Sequence, residues 1–261
     1  MIVDCHTHIS SSDNSFGASE HLQATETVNT CIVLATPGDS SSEVNQKLSE
    51  YVTEHKAKMV GFGLVEPTKD DISIKALKSI TEKLELPGVV LNCASCGFHP
   101  AHSRAMRFYE SAEALGLPVF FHNAVYHREP NAILSYAQPY LLDEVAAKFP
   151  ALKIIIGTMG VPFVEQTLSM LAKHENVYAD LTIKPDRVWM VYNMVVAAHE
   201  RGVMNKLLFG SGYPLATAGQ CIETLLGFNK LLGDTNLPTV PRGNIRNIIE
   251  RDTLGLLGIK K

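Results

Sequence analysis

Asp4, His6 and His8 alternate along what reads as the opening β-strand, in the run Asp4-Cys5-His6-Thr7-His8. On a strand, side chains two positions apart leave the same face, about 6–7 Å apart along the backbone. Two imidazoles placed in this way can close on one metal ion, with a carboxylate on the same face behind them. Asp4 therefore reads as a hydrogen-bond partner behind a ligating histidine, because such histidines donate their other N–H to a carboxylate or carbonyl. A third histidine, His122, ends the apolar run Pro118-Val119-Phe120-Phe121. Three neutral imidazoles and a water make a competent catalytic zinc site, one that lowers the water's pKa towards ~7.

Bringing these residues together requires a particular scaffold. Short apolar runs alternate with helix-period segments throughout the chain. The expected strands are Ile2–His6, Thr30–Ala35, Met59–Leu64, Gly88–Leu91, Pro118–His122, Leu152–Gly157, Asn176–Leu181 and Lys206–Gly210. Between them the pattern predicts helices over Ser41–Lys56, Asp71–Leu84, His102–Leu115, Tyr140–Lys148, Pro162–Lys173, Pro185–Arg201 and Cys221–Leu232, and a final outer helix within Pro241–Leu257. Strands separated by helices argue for a parallel sheet. Continuous apolar runs such as Ile154-Ile155-Ile156 suit strands covered on both faces. Eight βα units in 261 residues favour an α/β fold consisting of a single (β/α)8 TIM barrel, residues 1–261, with an extra C-terminal helix. A doubly wound open sheet is the alternative.

The active site of such a barrel lies at the C-terminal ends of its strands. Those ends carry His6 and His8, Glu66, Asn92 with Cys93, His122, Gly157-Thr158, Asp180, and Gly210-Ser211-Gly212-Tyr213-Pro214. Asp180 and then Glu66 are the candidate proton acceptors for bound water. Asn92, Thr158, Arg128 and Lys184 are candidate substrate-binding groups. Arg104 and Arg187 also follow strands, and arginine suits a bidentate grip on a carboxylate. Cys93-Ala94-Ser95-Cys96 lacks the second cysteine pair or helix N-terminus that a zinc or redox role needs, so both cysteines read as structural. His99, His102 and His127 lie in βα loops and read either as surface histidines or as lining the pocket, and Trp189, Met190 and Met194 read as core.

Bulk properties narrow the function. The composition, 46% hydrophobic and 19% charged, is that of a globular protein. A formal charge of −4 without a basic run gives nucleic-acid binding no electrostatic support. No apolar stretch approaches the roughly 20 residues of a membrane span, and the first strand leaves nothing for a signal peptidase. Five scattered cysteines fit a reducing, cytoplasmic setting. The expected partner is a small-molecule substrate, with neither nucleic acid nor membrane.

Several segments together resemble a known family. Asp4-Cys5-His6-Thr7-His8-Ile9, Gly88-Val89-Val90-Leu91-Asn92, Leu117-Pro118-Val119-Phe120-Phe121-His122, Lys153-Ile154-Ile155-Ile156-Gly157-Thr158-Met159-Gly160 and Phe209-Gly210-Ser211-Gly212-Tyr213-Pro214 fall in register with the amidohydrolase superfamily. The likeness is to its amidohydrolase-related branch, which includes the decarboxylase acting on aminocarboxymuconate semialdehyde, together with hydratases and lactonases. The resemblance implies one divalent metal ion, zinc or alternatively manganese, on His6, His8 and His122, and by analogy a homo-oligomer. Two positions depart from it. The family has histidine where this chain has Thr158, and a metal-binding, proton-accepting aspartate where it has Gly212.

Three functions follow as expectations. The first is a metal-dependent hydrolase acting on a small polar or carboxylated molecule. The second is a lyase, a decarboxylase or hydratase, for which the missing aspartate matters less. The third is a catalytically inactive barrel kept for ligand binding, which the changes at Thr158 and Gly212 would permit.

Overall fold

The structure is a computed structural model, and it describes residues 1–9, 17–38, 40–122 and 130–260. Eight parallel strands form one sheet in sequence order: β1 (Val3–Thr7), β2 (Thr30–Leu34), β3 (Met59–Leu64), β4 (Gly88–Leu91), β5 (Val119–Phe121), β6 (Ile154–Ile156), β7 (Val177–Asp180) and β8 (Leu207–Leu208). The last strand returns to the first. The Cys5 N–H donates to Phe209 O at 2.9 Å, the Gly212 N–H to His6 O at 2.8 Å, and the His8 N–H to Tyr213 O at 3.0 Å. A bridge between Thr7 and Tyr213 completes the closure. This is the α/β TIM barrel that the alternation predicts; the open sheet is excluded.

Every strand residue is buried. That follows from β-branched and aromatic runs covered by barrel interior on one side and helices on the other. The fully buried Val119, Phe120, Ile154, Ile155 and Val177 belong to this core. Each contributes about 1.5–3 kcal/mol through burial of apolar surface.

The helices are α1 (Ala18–Ala24), α2 (Ser41–Glu54), α3 (Ile74–Lys78), α4 (Ser103–Ala114), α5 (Asp143–Lys148), α6 (Val164–Lys173), α7 (Val188–Glu200), α8 (Ala218–Leu226), α9 (Arg242–Ile249) and α10 (Thr253–Leu256). Seven expected helices have counterparts, several introduced or ended by 3-10 turns, and α3 continues into a π-helical turn over Ser79–Lys83. Helix α1 is unexpected. It is short and polar, and its buried residue is a histidine, His21, so it carries no apolar periodicity to read. The expected C-terminal helix is divided in two. Asp252 ends the first part's register by capping α10, its carboxylate accepting from the Gly255 N–H at 3.1 Å. Ile245, Ile248 and Ile249 bury one face of α9, as their spacing requires. No helix among the described residues is long and apolar enough to cross a membrane.

Candidate metal centre

Strand register places the candidate side chains on one level. Leu64 pairs with Val90 and Val90 with Phe120, so two residues further on Glu66, Asn92 and His122 align across three neighbouring strands. The same ladder pairs Ile156 with Phe121 on one side and Ala179 on the other, which brings Gly157 and Asp180 onto that level one residue later. This face is the barrel interior, since the Phe120 ring, two residues below His122, lies 5.2 Å from the His6 ring.

His6, His8 and His122 meet there. His8 Nε2 lies 3.0 Å from His6 Nε2 and 3.2 Å from His122 Nε2. Ring centroids are 5.0–5.2 Å apart, with the planes near perpendicular. Three nitrogens around a tetrahedral ion at about 2.0–2.1 Å would be separated by about 3.3–3.4 Å, so the cluster nearly has the dimensions a cation needs. The other ring nitrogens fix the tautomers. His6 Nδ1 faces Asp180 Oδ2 at 2.5 Å and His8 Nδ1 faces Leu34 O at 3.1 Å. Both partners are acceptors, so a neutral ring carries its proton on Nδ1, and two neutral rings then turn Nε2 lone pairs towards each other. Two lone pairs at 3.0 Å repel unless a positive charge lies between them. The donor set therefore fits a divalent ion.

The carboxylate that meets an imidazole is that of Asp180 and not that of Asp4. Among the described residues Asp4 meets no imidazole nitrogen: its Oδ1 accepts from the backbone N–H of His6 (3.2 Å) and of Ser211 (3.0 Å), tying β1 to the segment after β8. Complete burial pushes its carboxyl up to about 6, against the lowering effect of those hydrogen bonds. Asp180 is the partner of His6. Its carboxylate also accepts from the Thr158 N–H at 2.9 Å, the Thr182 N–H at 2.9 Å and, in a short hydrogen bond, the Thr182 hydroxyl. Burial opposes its charge, but His6 and these donors prevail and hold it below the ordinary carboxylate range. A fully buried carboxylate held by these donors is placed to orient His6.

Glycine at 210 permits that approach, because a Cβ there would collide with Asp180 Oδ1 and crowd His6 Cβ at 3.0 Å. Thr158 contributes through its backbone. The left-handed turn at Thr158 (φ 51°) and Met159 (φ 52°) directs the Thr158 N–H onto Asp180, while its hydroxyl meets that of Thr182 at 3.2 Å. It is thus a support for Asp180 rather than a residue shown facing substrate.

Glu66 is buried and paired with Lys69 at 2.7 Å. Asn92 is buried, and its Nδ2 has no hydrogen-bond partner among the described residues. Lys184 is buried beyond β7, its amine lowered by burial and then by Arg187. Arg128 and His127 lie outside the described residues. Arg104 is a staple for the loop after β3, donating to Pro67 O and Asp70 O at 2.7 Å each. His102 caps α4, Nδ1 accepting from the Arg104 N–H at 3.2 Å, and His99 accepts likewise from Ala101 at 3.0 Å. Cys93 and Cys96 form no disulfide among the described residues, and burial raises the Cys93 thiol. Trp189 departs from its expected core position: it is 61% exposed and stacks on Tyr192 at 5.1 Å. Thr182 was not singled out by its sequence context, and only its contacts reveal it.

A parallel barrel with a histidine cluster at its mouth describes a class of metal-dependent enzymes. The chain belongs to the amidohydrolase family, whose model matches residues 3–247. No curated protein sequence matches it. Among solved structures it is similar to a probable 2-pyrone-4,6-dicarboxylic acid hydrolase from Acinetobacter baumannii with citric acid bound, at 16% identity and TM-score 0.68, covering 99% of each chain. It also resembles a dihydroxybenzoic acid decarboxylase from a Polaromonas species with bound manganese and 2-nitroresorcinol, at 14% identity and TM-score 0.68, covering 98% of this chain and 96% of that one. A third is 5-carboxyvanillate decarboxylase from Sphingomonas paucimobilis, at 12% identity and TM-score 0.69, covering 99% of each chain. At these identities the likeness establishes the fold.

Proposed function

We propose that this protein is a divalent-metal-dependent enzyme acting on a small carboxylated molecule, and that it works as a lyase. The observation that carries the metal is the convergence of the Nε2 atoms of His6, His8 and His122, with His8 Nε2 3.0 Å and 3.2 Å from the other two, while the Nδ1 atoms of His6 and His8 face acceptors. His6, His8 and His122 would hold the ion, zinc or manganese, both compatible with imidazole donors. Bound there, a divalent cation supplies Lewis acidity to an oxygen presented to it.

The chain's own groups favour a carboxylated substrate. Asn92, level with His122, has a buried amide N–H to offer a substrate oxygen. Lys184 adds a buried residue with an amine beyond the end of β7. The named substrates of the dicarboxylic acid hydrolase and of the two decarboxylases are aromatic or pyrone carboxylates, which accords with this. Lyase chemistry is preferred because it depends less on a carboxylate placed to accept the proton of metal-activated water. Asp180 is occupied by His6 and the threonines, and Gly212 has no side chain. Hydrolysis is the second reading, favoured by Glu66, a buried carboxylate on the level of His122.

Protein purified without chelators should hold about one equivalent of metal and turn over carboxylated substrates (aromatic, muconate-type or β-keto acids), losing activity on His122→Ala. Only trace metal, not restored by added zinc or manganese, would refute the proposal. Turnover confined to esters, lactones or amides would transfer the assignment to hydrolysis. Tight binding without any turnover would leave a ligand-binding barrel.

A further inference from the structure

Thr182 stands at the centre of the network behind His6, and its methyl group faces Gly212, the position at which the family resemblance places an aspartate. We infer that Thr182 is a positioning residue that has closed off the strand-eight ligand position and committed the centre to three nitrogen donors. The inference rests on the proposed metal site and concerns how this chain holds it.

The hydroxyl contacts support the positioning half. Thr182 Oγ1 lies 3.0 Å from His6 Nδ1 and 3.2 Å from Thr158 Oγ1, and forms a short hydrogen bond to Asp180 Oδ2. One hydroxyl proton must go to the carboxylate. Oγ1 then accepts from Thr158 and from the His6 N–H, which it shares with Asp180. That arrangement holds the His6 proton on Nδ1 and keeps Nε2 bare. The residue adopts a left-handed backbone (φ 35°), which disfavours β-branched side chains, so the surrounding contacts must compensate for local strain.

The methyl supports the second half. Gly212 also has a left-handed backbone (φ 65°), and a Cβ added there would lie 2.7 Å from Thr182 Cγ2. Aspartate tolerates left-handed dihedrals better than most residues, so the backbone alone does not bar a carboxylate at 212. The Thr182 methyl does. Serine at 182 would keep the hydroxyl contacts and remove that obstacle.

Cobalt(II) provides the probe, read by its d–d absorption and by competition with a chromophoric chelator, with thermal unfolding of the metal-free proteins as a check on folding. Thr182→Val, which keeps the bulk and loses the hydroxyl, should weaken cobalt binding about 10–100-fold, as loss of a ligand-orienting partner does. Thr182→Ser should stay within about threefold of the unaltered protein. Gly212→Asp alone should not tighten binding. In the Thr182→Ser background the same change should tighten it at least tenfold and alter the cobalt spectrum, as an oxygen donor joins the nitrogens.

Unchanged affinity in Thr182→Val would overturn the positioning role. Equal effects of Gly212→Asp in both backgrounds would overturn the closed position, whether or not the valine variant folds. Failure of the unaltered protein to take up cobalt would remove the proposed function and this inference with it, whereas the preceding outcomes leave the metal site standing.

Discussion

Replacing Asp180 with asparagine separates the two roles that a buried carboxylate near a metal centre can have. Asp180 faces only donors: the His6 Nδ1–H, the Thr158 N–H, and both the N–H and hydroxyl of Thr182. Asparagine has one oxygen for these. Placed where Oδ2 now receives three of them, it leaves its NH2 pointing at the Thr182 N–H, donor against donor across 2.9 Å. An unsatisfied buried donor costs about 1–3 kcal/mol, and the remaining hydrogen bonds lose their charge assistance, so a total near 3 kcal/mol is expected. For a domain of this size that lowers Tm by roughly 6–12 °C. Metal affinity should fall about 10–100-fold as His6 loses its tautomeric anchor. Calorimetry or thermal circular dichroism of the metal-free protein measures the first effect, and chelator competition the second. If Asp180→Asn abolished turnover while Tm and metal affinity were unchanged, Asp180 would be a proton acceptor facing the substrate and the reasoning would be refuted.

Other expectations follow from the same contacts. Gly210→Ala should weaken metal binding as Asp180→Asn does, because its Cβ collides with the Asp180 carboxylate; normal affinity measured by chelator competition would show that the carboxylate can move without consequence. Asn92→Ala should raise KM for the carboxylated substrate while leaving metal content unchanged; an unaltered KM would remove Asn92 from substrate binding. His21, buried against Tyr51 and Tyr213, has its pKa lowered to about 4, first by burial and then by Lys58 and His55. The unfolded chain therefore binds the extra proton, and the stability contributed by neutral His21 is complete above pH 6.5 and lost as the pH falls towards 4, by roughly 3 kcal/mol. Asp4, raised to about 6, works in the opposite sense, its protonated form favouring the fold at lower pH. The difference between the unaltered protein and His21→Asn in chemical denaturation across pH 4–7 isolates the histidine; a pH-independent difference would contradict its assignment.

Much of the fold was legible because the barrel's interior obeys simple chemistry. Met59–Leu64 and Gly88–Leu91 read as strands to the residue, being short apolar runs, the second introduced by the helix-ending Pro87-Gly88. His6, His8 and His122 were legible for a related reason: alternation along a strand and a strand-end position are both one-dimensional facts. Helix α1 was not, since His21 is its buried residue and polarity hides it from any hydrophobic pattern. Nor could the sequence distinguish Asp4 from Asp180. Both share strands with the site, but which one meets an imidazole depends on a turn at Thr158 and a bare glycine at 210, each many residues away. Thr182 was invisible for the same reason. Its importance lies in contacts reaching across from three other strand ends, and threonine after a strand carries no signal of its own.

A crystal equilibrated with zinc or manganese, with diffraction recorded at the metal's absorption edge, addresses the metal centre itself. One anomalous peak about 2.0–2.2 Å from Nε2 of His6, His8 and His122 is predicted, with Asp180 still on His6 Nδ1. No peak among those rings, or a peak that draws Asp180 into direct coordination, would contradict it.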